Sequence, residues 1–194
     1  MDSPLILNDI TNIEKKYLLN LAMHTMRTAS EGGEQSVIEP MSEMSNLHKT
    51  ACCFVTLIKN DCLRGCIGNL LPTMPLFRDV IKNTLSAMYD DPRFGKVTID
   101  EIDDIQIQLS ILSSLKLMPV ESEADLLKKI TPFVDGIVLQ EGSNRGTFLP
   151  SVWESLPDPV DFIRHLKQKA GLKSNHWSDK IEIKRYSVLK LEYG

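Results

Sequence analysis

Ala51-Cys52-Cys53-Phe54-Val55-Thr56-Leu57-Ile58-Lys59-Asn60-Asp61-Cys62-Leu63-Arg64-Gly65-Cys66-Ile67-Gly68 reads as two apolar, β-branched runs divided by two turn-forming residues. Asn60 and Asp61 tolerate the positive φ that a two-residue hairpin turn demands, so the segment is a β-hairpin. With that turn, cross-strand partners follow from the numbering: Cys66 faces Val55, Arg64 faces Leu57, and Gly68 faces Cys53. Arg64, Cys66 and Cys53 then share one face, with Cys53 diagonal to Cys66 at about 7 to 8 Å between α-carbons. Phe54, Ile58, Leu63 and Ile67 form the core set on the other face.

Upstream, Thr11-x-x-Glu14 is a capping box, and Ile13, Tyr17, Leu18 and Leu21 recur at helical spacing, predicting a helix to about Arg27. Residues 30–46 mix Gly, Ser, Glu and Pro without period and read as a mobile surface loop. Downstream, Thr73 and Pro75 announce a helix with one apolar stripe that stops at Asp90-Asp91-Pro92. Ile105, Ile107, Leu109 and Ile111 alternate with polar residues, as in a half-buried strand. A short helix over 121–129, a strand pair at 136–140 and 147–149, a helix over 161–170 ended by Gly171, and a terminal strand over 181–192 complete the chain. Helices intermixed with hairpins imply an α+β fold with a mostly antiparallel sheet.

The composition, 42% hydrophobic and 25% charged over 194 residues, is that of a soluble globular protein. The acidic N-terminus with its three-residue apolar run is no signal peptide, and no run of about 18 apolar residues suggests a spanning helix. These features place the protein in the cytoplasm. Residues 161–194 carry a net charge of +4 and the remainder −8. An acidic chain is ill suited to bulk nucleic-acid binding, which rests on phosphate neutralisation. The basic stretch from Lys167 to Lys190 reads as solvated faces, with a local anion-facing patch as the alternative.

The four cysteines fall within residues 52–66 and read as reduced thiols. Zinc is disfavoured by the register: Cys52 points away from Cys53, and Cys62 lies roughly 20 Å along the ladder, far beyond zinc–sulfur bonds of about 2.3 Å. What remains is Cys66 beside the fixed charge of Arg64, a neighbour that favours thiolate. Gly65 and Gly68 leave room beside it for a ligand or another backbone. Free cysteine is also among the most buried residue types. Two readings stand, activated thiol and packed core residue, and these residues alone favour packing.

Leu63 to Gly68, followed in order by Asp91-Pro92-Arg93-Phe94, Leu109-Ser110-Ile111-Leu112, Asp135-Gly136-Ile137-Val138-Leu139, Phe148-Leu149-Pro150-Ser151-Val152 and Lys169-Ala170-Gly171-Leu172 before Trp177, closely resembles the AMMECR-one domain family. Its prokaryotic members are called AmmeMemoRadiSam system protein A. The resemblance covers residues 13–193, a single domain of this type. It implies two unequal lobes with a cleft between them, the larger carrying an antiparallel sheet flanked by helices. It also implies a Memo-like protein and a radical-SAM enzyme as partners, and a functional role for Leu63 to Gly68 with no demonstrated reaction. Cys62 departs from the polar or charged residue usual at its position.

On this basis the cleft binds a small anionic ligand or a modified partner, with Cys66 the candidate catalytic thiol and Arg64, Gly65, Gly68, Asp91 and Arg93 the candidate binding residues. Asp91 either caps a turn at the helix end, the favoured reading, or it pairs with Arg93, or the two line the cleft beside Arg64. His24 and His165 read as spectators, and His176 beside Trp177 offers a stacking surface. No glycine-rich phosphate loop and no metal-spaced ligand pair is present, so neither a nucleotide nor a metal cofactor is implied. The rival class is a non-catalytic adaptor with a structural hexapeptide, in which Arg64 pairs with Asp90 or Asp91 and Cys66 fills core. A nucleic-acid-associated protein is the weaker third.

Overall fold

The computed structural model describes residues 4–33 and 39–193. In chain order the elements are α1 (Asn12–Ser30), β1 (Cys52–Lys59), β2 (Cys62–Gly68), α2 (Leu76–Tyr89), β3 (Ile105–Leu112), β4 (Lys116–Leu117), α3 (Glu123–Lys129), β5 (Gly136–Glu141), β6 (Asn144–Phe148), α4 (Pro159–Lys169), β7 (Glu182–Tyr186) and β8 (Val188–Glu192). The chain divides into two compact units, residues 1–113 with 189–194, and residues 114–188. Each holds a four-stranded sheet, ordered β2-β1-β3-β8 in the first and β4-β7-β5-β6 in the second. The fold is α+β with antiparallel pairing, as the sequence implies. No helix among the described residues is long and apolar enough to cross a membrane.

In the first unit the capping box forms: Thr11 Oγ1 accepts from Glu14 N at 3.2 Å and Glu14 Oε2 accepts from Thr11 N at 2.8 Å. Glu14 also accepts from the backbone and side chain of Asn46, which pins the far end of the 30–46 segment. Residues 34–38 of that segment lie outside the described residues; beyond them Pro40 and Met44 are buried, and Ser45–His48 form a 3-10 turn. α1 runs three residues past the predicted stop, to Ser30. Leu18, Ala22 and Met26 of α1 and Leu76, Val80 and Met88 of α2 pack on Val55, Leu57, Ile107, Leu109 and Leu191 of the sheet.

The hairpin turn is as predicted, with Asn60 and Asp61 at φ 51° and 58°. The register is not. Ile58 pairs with Leu63, but Leu57 pairs with Gly65, so Arg64 is the extra residue of a β-bulge. Beyond it every partner slips by one: Cys66 faces Thr56 rather than Val55, and Gly68 faces Phe54 rather than Cys53. A one-residue slip exchanges the two faces of a strand. The face toward the helices therefore carries Cys53, Val55, Leu57, Gly65 and Ile67, while Phe54 and Ile58 are half-buried and Leu63 is 44% exposed. Cys53 does not share a face with Cys66; Cys52 does, about 13 Å along the strand at about 3.3 Å per residue.

In the second unit Trp153 stacks on Phe162 at 3.7 Å between ring centroids and donates to Asp135 O at 2.9 Å. Lys167, fully buried, bonds Glu123 at 2.7 Å and Ser174 O at 3.2 Å, tying α3 and the turn after α4 together. The predicted terminal strand is two: Ser187 interrupts it, and β7 and β8 join different sheets. The β5–β6 turn is also tighter than expected, with Gly142 at φ 59° and pairing resumed at Asn144.

A Cβ at Gly65 would stand 2.3 Å from the backbone oxygen of Ala87 in α2. Gly65→Ala must push that helix off the sheet and is expected to lower unfolding stability by about 3 kcal/mol. Gly95→Ala, with nothing within 4 Å of the added carbon, should stay within about 0.5 kcal/mol of the parent. Urea titrations compare them; equal costs would remove Gly65 from the packing argument.

Candidate functional site

β2 is the outer strand of its sheet, so alternate backbone groups have no neighbouring strand to pair with. Side chains from the segment after α2 take them up. Cys66 N donates to Asp91 Oδ2 at 2.8 Å, and Cys66 O accepts from Arg93 Nη2 at 3.2 Å. Asp91 and Arg93 also grip each other, with Nε to Oδ1 at 2.9 Å and Nη2 to Oδ2 at 2.7 Å. Both backbone polar groups of Cys66 are thus fastened by one ion pair, and Asp91 Oδ1 also accepts from Arg93 N at 3.1 Å, the turn-capping role favoured for it.

Arg64 is held elsewhere. The bulge aims it at the 95–101 segment, where Nε and Nη2 bond Glu101 at 3.0 and 2.8 Å and Nη1 and Nη2 bond the carbonyls of Gly95 and Lys96. Its partner is neither Asp90 nor Asp91. Glu101 accepts in addition from Lys59 Nζ and from Thr98 N. The guanidinium of Arg64, helped by these donors, holds the Glu101 carboxyl well below the usual carboxylate range against the opposing effect of burial.

The thiol of Cys66 is half-buried on the outer face, 3.3 Å from Thr56 Oγ1. Its neighbouring cation is Arg93: the guanidinium is stabilised in its charged form by Asp91 first and also by the Cys66 side chain. Next along the face from Thr56 stands its β3 partner Gln108, which donates to Glu192 at 2.9 Å. The room beside both glycines is taken by protein atoms. Gly65 abuts Ala87 O, and a Cβ at Gly68 would meet the Phe54 ring at 2.3 Å and Cys53 O at 2.6 Å.

The other thiols are placed differently. Burial pushes Cys52 up to about 12 and Cys53 well above its ordinary value, with the nearby Asp79 carboxylate adding to both. Asp79 and Asn83 of α2 hold the Cys53 peptide much as Asp91 and Arg93 hold that of Cys66: Cys53 N donates to Asp79 at 2.8 Å and Cys53 O accepts from Asn83 at 3.1 Å. Cys62 is exposed beside the turn. His176 bonds Glu141, which also accepts from Ser178, and His165 bonds Asp161 O within its own helix.

Glu101, Thr56 and the Asp79/Asn83 pair escaped the sequence reading. Glu101 carries a legible signal, since Thr98-x-x-Glu101 is a second capping box. Thr56 becomes a neighbour of Cys66 only through the bulge.

The family model of AMMECR1 matches residues 19–191. The chain belongs to the AMMECR1 family. Protein MJ0810 of Methanocaldococcus jannaschii is 34% identical over 162 residues, covering 80% of this chain and 79% of that one. A protein of Thermotoga maritima is 38% identical over 156 residues, 78% and 84% of the two chains. Among solved structures, the uncharacterized protein PH0010 of Pyrococcus horikoshii superposes with a TM-score of 0.83 at 27% identity, covering 93% of this chain and 92% of its own. That coverage takes in both units of the AMMECR1 chain.

Asp91 is buried, and Arg93, assisted by Cys66 N, holds its carboxyl far below the usual range. Its folded value lies below the unfolded one of about 3.9. Its contribution is therefore complete above that pH and is lost progressively as pH falls toward the folded value. Asp91→Asn is expected to cost about 2 to 3 kcal/mol at pH 7, the range for hydrogen bonds to charged groups. The gap from the parent should narrow below about pH 4. Denaturant titrations at pH 7, 4 and 3 measure it; a gap independent of pH would exclude a charged Asp91 as the fastener.

Proposed function

We propose that this AMMECR1 chain is a binding module whose functional group is the thiol of Cys66, presented from a fastened edge strand to a small anionic ligand or a modified partner. The observation that carries the reading is the division of labour within Leu63 to Gly68. Arg64 spends four of its five donors on Glu101 and two carbonyls, and Gly65 and Gly68 are filled by protein atoms. The thiol of Cys66 is left on the outer face with Thr56 and Arg93 around it.

The cation offered to an incoming anion is accordingly Arg93, whose side chain is 53% exposed, and not Arg64. A guanidinium there attracts a negative group toward the sulfur. Memo-like and radical-SAM proteins, the partners implied by the family resemblance, are the source of the modified partner in this reading. The rival reading, a non-catalytic adaptor, keeps the same scaffold and makes Cys66 a contact residue without chemistry.

Two alkylating probes separate the readings. Iodoacetate carries a negative charge and iodoacetamide none, and peptide mass spectrometry gives their rates at Cys66 and at the exposed Cys62. An Arg93-guided thiolate should raise the iodoacetate-to-iodoacetamide ratio at Cys66 about fivefold over that at Cys62, the value of one unit-charge contact in water. Arg93→Gln, shown by circular dichroism to be folded, should abolish the difference. Slower labelling of Cys66 than Cys62 by both reagents, with equal ratios, would leave the adaptor standing.

A further inference from the structure

The second unit carries a cavity of its own, about 330 Å³, lined by Leu117, Met118, Pro119, Lys129 and Arg185. That volume lies within the range of small-molecule pockets. It forms where β4, only two residues long, joins the edge of β7, with Met118 N donating to Ile183 O just beyond it.

The charges here are arranged unlike those around them. Lys129 is neutralised by Asp125 at 2.7 Å and fastened to Pro119 O at 2.8 Å, and Lys184 is paired with Glu182. Arg185 lines the cavity yet forms no ion pair among the described residues. Its cross-strand partner is Lys116, another cation without an ion pair there. Like charges directly opposite each other on paired strands are unfavourable, and an anion between them removes the penalty. The remaining wall on the Arg185 face is apolar, formed by the buried Met118 and by Pro119, while Leu117 pairs with Lys184 on the other face.

We propose that this cavity binds a small organic oxyanion, a carboxylate or a phosphate ester, with the charged group on the Arg185 guanidinium and the apolar body on Met118 and Pro119. The planar guanidinium fork matches either oxyanion with two parallel hydrogen bonds. Lys116 and Lys129 raise the local positive potential. Nucleic acid is a poorer occupant, because the wall opposite the cations is apolar and one of the three cations is already spent on Asp125.

The test is a titration of the full chain labelled at its methionine methyls, with the Met118 signal assigned through Met118→Leu. Four probes are compared: benzoate, phenyl phosphate, inorganic phosphate and benzyl alcohol. Benzoate or phenyl phosphate, or both, should move the Met118 signal saturably, and whichever binds tighter names the oxyanion. Inorganic phosphate lacks the apolar body and benzyl alcohol the charge, so each should bind at least about tenfold more weakly, one charged hydrogen bond's worth. Arg185→Gln, an exposed strand position, should weaken the aromatic anions by a similar factor with the melting temperature unchanged. The proposal fails if neither aromatic anion saturates the Met118 signal, if benzyl alcohol binds as tightly as benzoate, or if Arg185→Gln binds like the parent.

Discussion

The surroundings of Cys66 depend on how β2 closes off its sheet. An outer strand leaves alternate N–H and C=O groups without partners, and in water such an edge frays or recruits another strand. Here the same stretch is fastened from two directions: Asp91 and Arg93 hold the Cys66 peptide, and the 95–101 segment holds Arg64 at the bulge. Both fasteners rest on buried or half-buried carboxylates kept ionised by guanidinium groups. Breaking either would leave a carboxylate without its cation, which is why such pairs resist local opening far better than exposed ones. Cys66 is therefore held by its own backbone on a fastened strand.

The two units solve the same packing problems with the same devices. Gly65 admits the Ala87 carbonyl of α2, and Gly146 admits Leu166 O and Ala170 N at the end of α4. Across each sheet an aromatic ring folds over a glycine on the paired strand, Phe54 over Gly68 and Tyr186 over Gly136. A ring laid on a bare backbone shields its hydrogen bonds from water and restores the apolar contact that glycine lacks. Tyr186 adds a hydroxyl that bonds Thr147 and Phe148 O. Three of these four glycines belong to the motifs that carry the family resemblance, and packing accounts for all four.

Much of this was legible in the sequence, and the failures have physical causes. The Thr11 capping box, the Asn60-Asp61 turn and the alternation of β3 are local signals, and each element formed where its signal lies. The bulge is not local. Arg64 becomes the unpaired residue because Gly65 must meet α2 and Arg64 must meet Glu101, contacts made 22 and 37 residues away. β1 is apolar on both faces, so its pattern could not reveal the slip. The candidate site followed the same division: the Asp91–Arg93 pair was one of the alternatives the sequence offered, whereas Arg64, read as the cation beside Cys66, is held instead by Glu101. The division of the terminal strand turned on Ser187, a single residue with no breaker signal.

That division orders events in time as well as in space. The chain leaves the first unit at Ser114 and returns at Leu189, so β8, one of that unit's four strands, is synthesised only after the whole of the second unit. Seventy-five residues of the second unit are synthesised while the first still lacks an edge. The second unit, encoded without interruption, can complete its own sheet during translation. The first must wait for β8, and its four-stranded sheet is complete only after the second unit has been made.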